Sequence, residues 1–115
     1  MIIINVLMEE LLKNANEFLD SGEDNLTKKR FNAAISDFFK AIVILCDYRI
    51  YIQIKILPKN HNERFSLLMK YFPEVYTNAS KLFKTYVKTY NLRLGLKDVA
   101  EARKYAYELK NSINK

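Results

Sequence analysis

Apolar and polar positions recur along this chain with a helical period over nearly its whole length. Within residues 3–20, Leu11, Ala15 and Phe18 stand at i, i+4 and i+7, with Leu12 and Leu19 beside them. That spacing predicts an amphipathic first helix. Ser21 and Gly22 follow, and Gly22 is the expected terminator, because glycine adopts the left-handed closing conformation without a Cβ penalty. A second segment starts near Asp24 or Asn25, both good N-caps, and runs without Gly or Pro to about Ile56. Phe31, Ala34, Ile35, Phe38, Ala41, Ile42, Leu45 and Ile52 form one stripe along it. From Phe39 onward a second apolar set, Phe39, Val43, Ile50 and Ile54, lies on the other side. A helix apolar nearly all round is buried nearly all round. The expectation is a long central helix, covered on one side by its own chain and at Phe39, Val43, Ile50 and Ile54 by a second copy in a homodimer. The β-branched run IYIQIKI also admits a strand over 50–56, but no second candidate strand is present to pair with it.

Leu57-Pro58 ends this segment, since the residue before proline is pushed out of helical geometry. A third helix is expected from about Asn60, with Phe65, Leu68, Met69 and Phe72 on one face. Pro73 then breaks it or opens a fourth helix, whose stripe is Val75, Ala79, Leu82, Tyr86 and Tyr90 and whose end lies near Gly95. A fifth starts by Asp98 and uses Ala102, Ala106, Leu109 and Ile113. The result is one all-α domain over residues 1–115, an antiparallel bundle of four to five helices with a long central second helix. Two glycines and two prolines in the whole chain fit so few connections.

Composition adds little to the fold but narrows the chemistry. Cys46 is alone, so no internal disulfide or thiolate metal cluster is available, which fits a reducing, cytoplasmic setting. The opening MIIINVLMEELL lacks the basic leader and small-residue cleavage site of a signal peptide. No apolar run approaches the roughly 18 residues of a membrane span, so no membrane partner is expected. Charge is uneven: residues 1–24 carry one lysine against six carboxylates, whereas residues 25–115 carry 18 Lys and Arg against seven. Such a basic body suits a polyanionic partner, unless the acidic first helix covers it.

The only histidine, His61, follows Asn60, and Glu63 stands three residues beyond Asn60, the spacing of a capping box. His61 is therefore read as part of a first helical turn. With no second histidine in the chain, no histidine metal motif can be written, so no metal or cofactor is expected. A residual enzyme using His61 across a dimer is the one catalytic reading left open by spacing. Cys46, mid-helix between Leu45 and Asp47, reads as a buried small hydrophobe. With only Gly22 and Gly95, no phosphate-cradling glycine loop can be written. The acid pairs Glu9-Glu10 and Glu23-Asp24 point apart on a helix and make no catalytic dyad. Lys81, Lys84 and Lys88 lie at i, i+3 and i+7, opposite the tyrosine-bearing stripe, and Arg93 and Lys97 extend the line. These five cations are the expected phosphate contacts. Lys28-Lys29-Arg30 forms a second basic cluster.

FNAAISDFFKAIVIL, residues 31–45, resembles the second helix of a tetratricopeptide repeat through Ala34, Phe38 and Ala41. A displacement of 34 residues sets Leu68, Phe72 and Val75 in their places, so the unit does not recur. Over most of the chain, the order of helices resembles the HEPN superfamily. It has an amphipathic first helix, a long Ala- and aromatic-rich second helix, the link LPKNHNERFSLL, and a Tyr-rich helix running into YNLRLGLKDVAEARKYAYEL. That resemblance implies a dimeric helical bundle associated with nucleotides or RNA, or paired with a small nucleotidyltransferase. Ribonuclease members carry Arg followed after four to six residues by His. Here Arg93 is followed at those positions by Asp98, Val99 and Ala100, and Arg30, Arg49, Arg64 and Arg103 have no histidine there either. The expected function is therefore non-catalytic binding of a nucleotide, RNA or a nucleic-acid-processing protein, with a tetratricopeptide-like interaction module as the alternative.

Overall fold

Five helices and no strand form among the residues that the computed structural model describes, 2–113 for the backbone and 6–113 for the side chains. They are α1 (Ile2–Thr27), α2 (Phe31–Ile54), α3 (His61–Tyr71), α4 (Pro73–Lys88) and α5 (Leu96–Ile113). The protein is an all-α bundle. α2 is its axis: it packs against each of the other four helices, while among the described residues α1 makes no close backbone approach to α3 or α4. The second apolar set on α2 accounts for this position, because both sides of the helix need cover. Ala34, Ile35, Phe38, Ala41, Ile42, Leu45 and Cys46 are buried on it, together with Ala15 and Leu19 of α1, Leu68 of α3, Val75, Ala79 and Leu82 of α4, and Val99, Ala102, Ala106 and Leu109 of α5.

The first helix does not stop at Gly22 but continues to Thr27, and Gly22 keeps a negative φ. Gly22 serves packing instead: a Cβ there would lie 2.7 Å from Cε1 of Phe38. The residues around it, which read as turn-makers, face α2. Ser21 Oγ and Asn25 Nδ2 each donate to Asp37 Oδ2 at 2.8 Å. The chain turns later, at Lys28-Lys29-Arg30, where Lys29 takes a φ of 59°. Lys29 N–H donates to Leu26 O and Arg30 N–H to Asn25 O, the paired bonds of a Schellman closure with lysine in the usual glycine position.

α2 consequently starts at Phe31 and is slightly shorter than α1. It holds helical geometry through Ile54, so the 50–56 run is no strand; Lys55, at φ 60°, ends it by donating its N–H to Tyr51 O. At α3, Asn60 caps as its sequence context predicts, its side chain accepting from Glu63 N–H at 2.9 Å. Pro73 occupies the first turn of α4, where its missing N–H costs nothing. α4 ends at Lys88, well short of Gly95. Gly95 instead precedes α5 and donates its N–H to Asp98 Oδ2, the acid expected near that helix start.

Some side-chain expectations are overturned. Ile52, Met69 and Tyr90, expected on core stripes, are 43%, 56% and 72% exposed. Conversely, Phe39 and Ile50, expected at a homodimer interface, are only 2% and 0% exposed within a single chain. α4 and the neighbouring helices cover them, so they offer no surface to a second copy. Val43 and Ile54 are half-buried.

Candidate functional site

Two segments distant in sequence, the α1–α2 turn and the α4–α5 loop, meet beside the start of α2. Asn32, in its first turn, donates Nδ2 to Thr89 O at 3.1 Å and to Leu92 O at 2.7 Å, while its Oδ1 accepts from Leu94 N–H at 3.0 Å. One side chain thus holds three backbone groups of the α4–α5 loop, which would otherwise lack partners. That clamp brings Arg93 against the α1–α2 turn. Lys29, Arg30, Phe31, Asn32, Arg93 and Leu94 line a cavity of about 290 Å³ with no acidic residue in its wall. Lys29, Arg30 and Arg93 are exposed and form no salt bridge among the described residues. Tyr90, on the same loop, carries the most exposed aromatic ring, its hydroxyl 2.9 Å from that of Tyr86.

The five expected cations divide. Arg93 sits in the basic cavity, Lys88 occupies the last turn of α4 leading into that loop, and Lys97 lies at the start of α5 beyond it. Lys84 is exposed one turn before Lys88. Lys81 lines a different cavity, about 260 Å³ between α4 and α5, whose wall also carries Lys104 and the acids Glu101 and Glu108. Among the described residues the acidic first helix makes no close backbone approach to α4. It leans on α5 instead: Glu23 Oε2 accepts from Arg103 Nε at 2.6 Å and from the Tyr107 hydroxyl at 3.0 Å. Sequence spacing singles out Arg93 but not Asn32, which has no motif of its own; the Lys28-Lys29-Arg30 cluster is visible in the sequence, but its meeting with Arg93 is not.

His61 belongs to another arrangement. Arg64 grips Asp47 with two bonds, Nε to Oδ1 at 2.6 Å and Nη2 to Oδ2 at 2.8 Å, and both residues are buried. The remaining Nη1 lies 2.8 Å from His61 Nδ1. A guanidinium only donates, so Nδ1 must accept and the imidazole is neutral with its proton on Nε2. Desolvation of the ring, stacked against Phe65 and tilted against Phe83, and then the Arg64 charge both hold its pKa below the ordinary imidazole value. Its basic nitrogen is therefore occupied, which argues against service as a general base. We expect a long-range proton–nitrogen NMR spectrum at pH 7 to show the Nε2–H form alone; a mixture of tautomers would contradict the Arg64 bond. Because the folded pKa is depressed, the stability contributed by His61 is present above about pH 6.5 and declines as the pH falls through its folded value.

Cys46 is fully buried, and desolvation, reinforced by the neighbouring Asp47 charge, pushes its thiol up to about 12. It is unionised at neutral pH and unsuited to nucleophilic work. Among the described residues no group of three or more His, Cys, Asp or Glu converges on a metal position, and no helix is long and apolar enough to cross a membrane. No family model matches the chain, and no curated protein or solved structure is found to resemble it.

Proposed function

We propose that this chain is a non-catalytic, HEPN-like domain that binds single-stranded RNA through its phosphates at the Lys29–Arg30–Arg93 end of the bundle. The observation that carries the reading is the convergence of three unpaired cations on one acid-free cavity. Lys84, Lys88 and Lys97 extend the basic surface along the strand path. Tyr90, on the same loop as Arg93 though outside the cavity wall, presents an exposed ring on which a base can stack. Aromatic stacking combined with basic contacts is how single strands are held without sequence readout. A duplex keeps its bases stacked inside and gains nothing from such a ring. With no histidine after Arg93 and His61 engaged by Arg64, binding without cleavage is the economical form of the activity.

Fluorescence anisotropy with a labelled oligoribonucleotide tests this. The logarithm of affinity should fall linearly with the logarithm of salt concentration, by about 0.7 per phosphate neutralised. Arg93→Glu and the pair Lys29→Glu with Arg30→Glu should each weaken binding and flatten that slope by about 0.7 for every phosphate no longer neutralised. Lys13→Glu, on α1, serves as the control and should leave both unchanged. An RNA affinity indifferent to Arg93→Glu would defeat the assignment. A chain that ignored RNA and took a peptide independently of salt would favour the tetratricopeptide-like alternative. Sedimentation equilibrium on the same samples reports whether the binding unit is the homodimer implied by the HEPN resemblance, and whether a nucleotidyltransferase partner need be sought.

A further inference from the structure

A third cavity, of different chemistry, opens over the middle of α2. Among the described residues α1 and α4 make no close backbone approach, and a strip of α2 with exposed Lys40 and half-buried Val43 and Ile44 lies between them. Phe18 of α1, His61 at the start of α3 and Tyr86 of α4 close its sides, leaving about 220 Å³. The floor is apolar, and it is stiffened from below by Phe39, which stacks on Tyr86 at 4.9 Å between ring centroids. Two groups at its edge, Lys40 and His61, can donate hydrogen bonds. Lys40 Nζ lies 5.6 Å from the Phe18 ring centroid. His61 has only its Nε2–H left to offer, because Nδ1 is taken by Arg64. The Tyr86 hydroxyl is already paired with that of Tyr90. No acidic residue lines the cavity.

We propose that this groove binds a small aromatic carboxylic acid, its ring against Phe18, Val43 and Ile44 and its carboxylate on Lys40 and His61. Size and charge together select that class. The volume lies below the roughly 300–1,000 Å³ of sites for drug-sized ligands, so it accepts a single ring with a short arm and is too small for a helix. A cation and a fixed N–H at the rim complement a carboxylate and disfavour an amine, whose charge would face Lys40. None of the residues lining this groove lines the basic cavity. The Tyr86 hydroxyl does pair with that of Tyr90 on the Arg93 loop, so the methyls of Val43 and Ile44, not Tyr86, distinguish this proposal from RNA binding.

Methyl NMR titration of the full chain with phenylacetate, and separately with phenylacetamide, decides it. Phenylacetate should shift the Val43 and Ile44 methyl resonances saturably. The amide should bind about tenfold more weakly, the loss expected when a charge-assisted hydrogen bond is removed. Lys40→Gln should cause a similar loss for the acid; Lys40 is exposed, and an unaltered melting temperature would verify that the variant is folded. Three results would overturn the proposal: no shift at Val43 and Ile44, equal affinity for acid and amide, or shifts centred on the Arg93 loop.

Discussion

Replacing Arg64 by methionine is expected to cost about 3–5 kcal/mol of folding stability, while the double variant Asp47→Leu with Arg64→Met should recover most of it. The two side chains are paired by two short bonds inside the bundle. Removing one partner strands a charge where water cannot reach it; removing both leaves an apolar contact between α2 and α3. Burial outweighs even this pairing and holds the Asp47 carboxyl above its usual range, with Arg64 pulling the other way. In Arg64→Met that opposing pull is gone, so the pKa rises further. An acid with a raised folded pKa holds its proton more readily when folded. Its penalty is absent below the ordinary carboxylate value of about 3.9 and develops as the pH rises through the folded value. The deficit relative to the parent should therefore shrink as the pH is lowered from neutrality toward about 4. Removal of Arg64 acts in the same direction at His61, because it relieves one cause of that ring's depressed pKa. Urea denaturation across this range measures both effects. A double variant no more stable than Arg64→Met would show that the pair itself, not the avoidance of an orphaned charge, holds α3 to α2.

Half of this arrangement is legible in the sequence. The capping spacing of Asn60 and Glu63 places His61 in the first turn of α3, and the structure has it there. Arg64 in the same turn raises no signal, because charged residues usually populate solvated faces. The overlooked cue is Asp47: a lone carboxylate inside a segment apolar nearly all round requires a cation from elsewhere. Periodicity cannot supply the partner's identity, since it reports which positions share a face and not which other helix covers that face. The same limit explains Ile52 and Met69, whose stripes are right but whose neighbours run out, and Phe39 and Ile50, whose cover comes from their own chain.

Helix ends are expected at glycine, and here glycine does not make them. Both left-handed closures fall on lysines, Lys29 and Lys55, which carry no such signature. An early first turn also hides the basic cavity, because it sets Lys29 and Arg30 inside a helix rather than at the corner facing Arg93. The rest of that corner depends on Asn32 binding groups some 60 residues away, among them Leu92 O. Local pattern carries no trace of such a bond. The Lys81–Lys84–Lys88 line is readable as spacing, yet only the packing of α5 sets Lys81 in one cavity with Glu101, Lys104 and Glu108.

Gly22 yields the second large effect, through the ring it meets. Phe38→Ala should destabilise the bundle by about 3–5 kcal/mol, the range for emptying a buried aromatic site, since Phe38 is wholly buried on α2. Gly22→Ala sets two terms against each other. Alanine is favoured over glycine within a helix by about 1 kcal/mol, and Gly22 is helical with a negative φ. The added methyl, however, meets Cε1, Cζ and Cδ1 of Phe38 at 2.7, 2.8 and 3.0 Å. That ring cannot swing aside in a filled core, and overpacking of this kind costs about 1–3 kcal/mol. The steric term should prevail, giving a modest net loss. Shortening the ring then reverses the sign: in a Phe38→Leu background the same Gly22→Ala change should be neutral or stabilising, a non-additivity that denaturant titration of the four proteins reads directly. Were Gly22 needed for a left-handed helix terminus, the alanine penalty would persist whatever stood at position 38. Relief by Phe38→Leu would instead identify the glycine as the gap through which α1 and α2 close on each other.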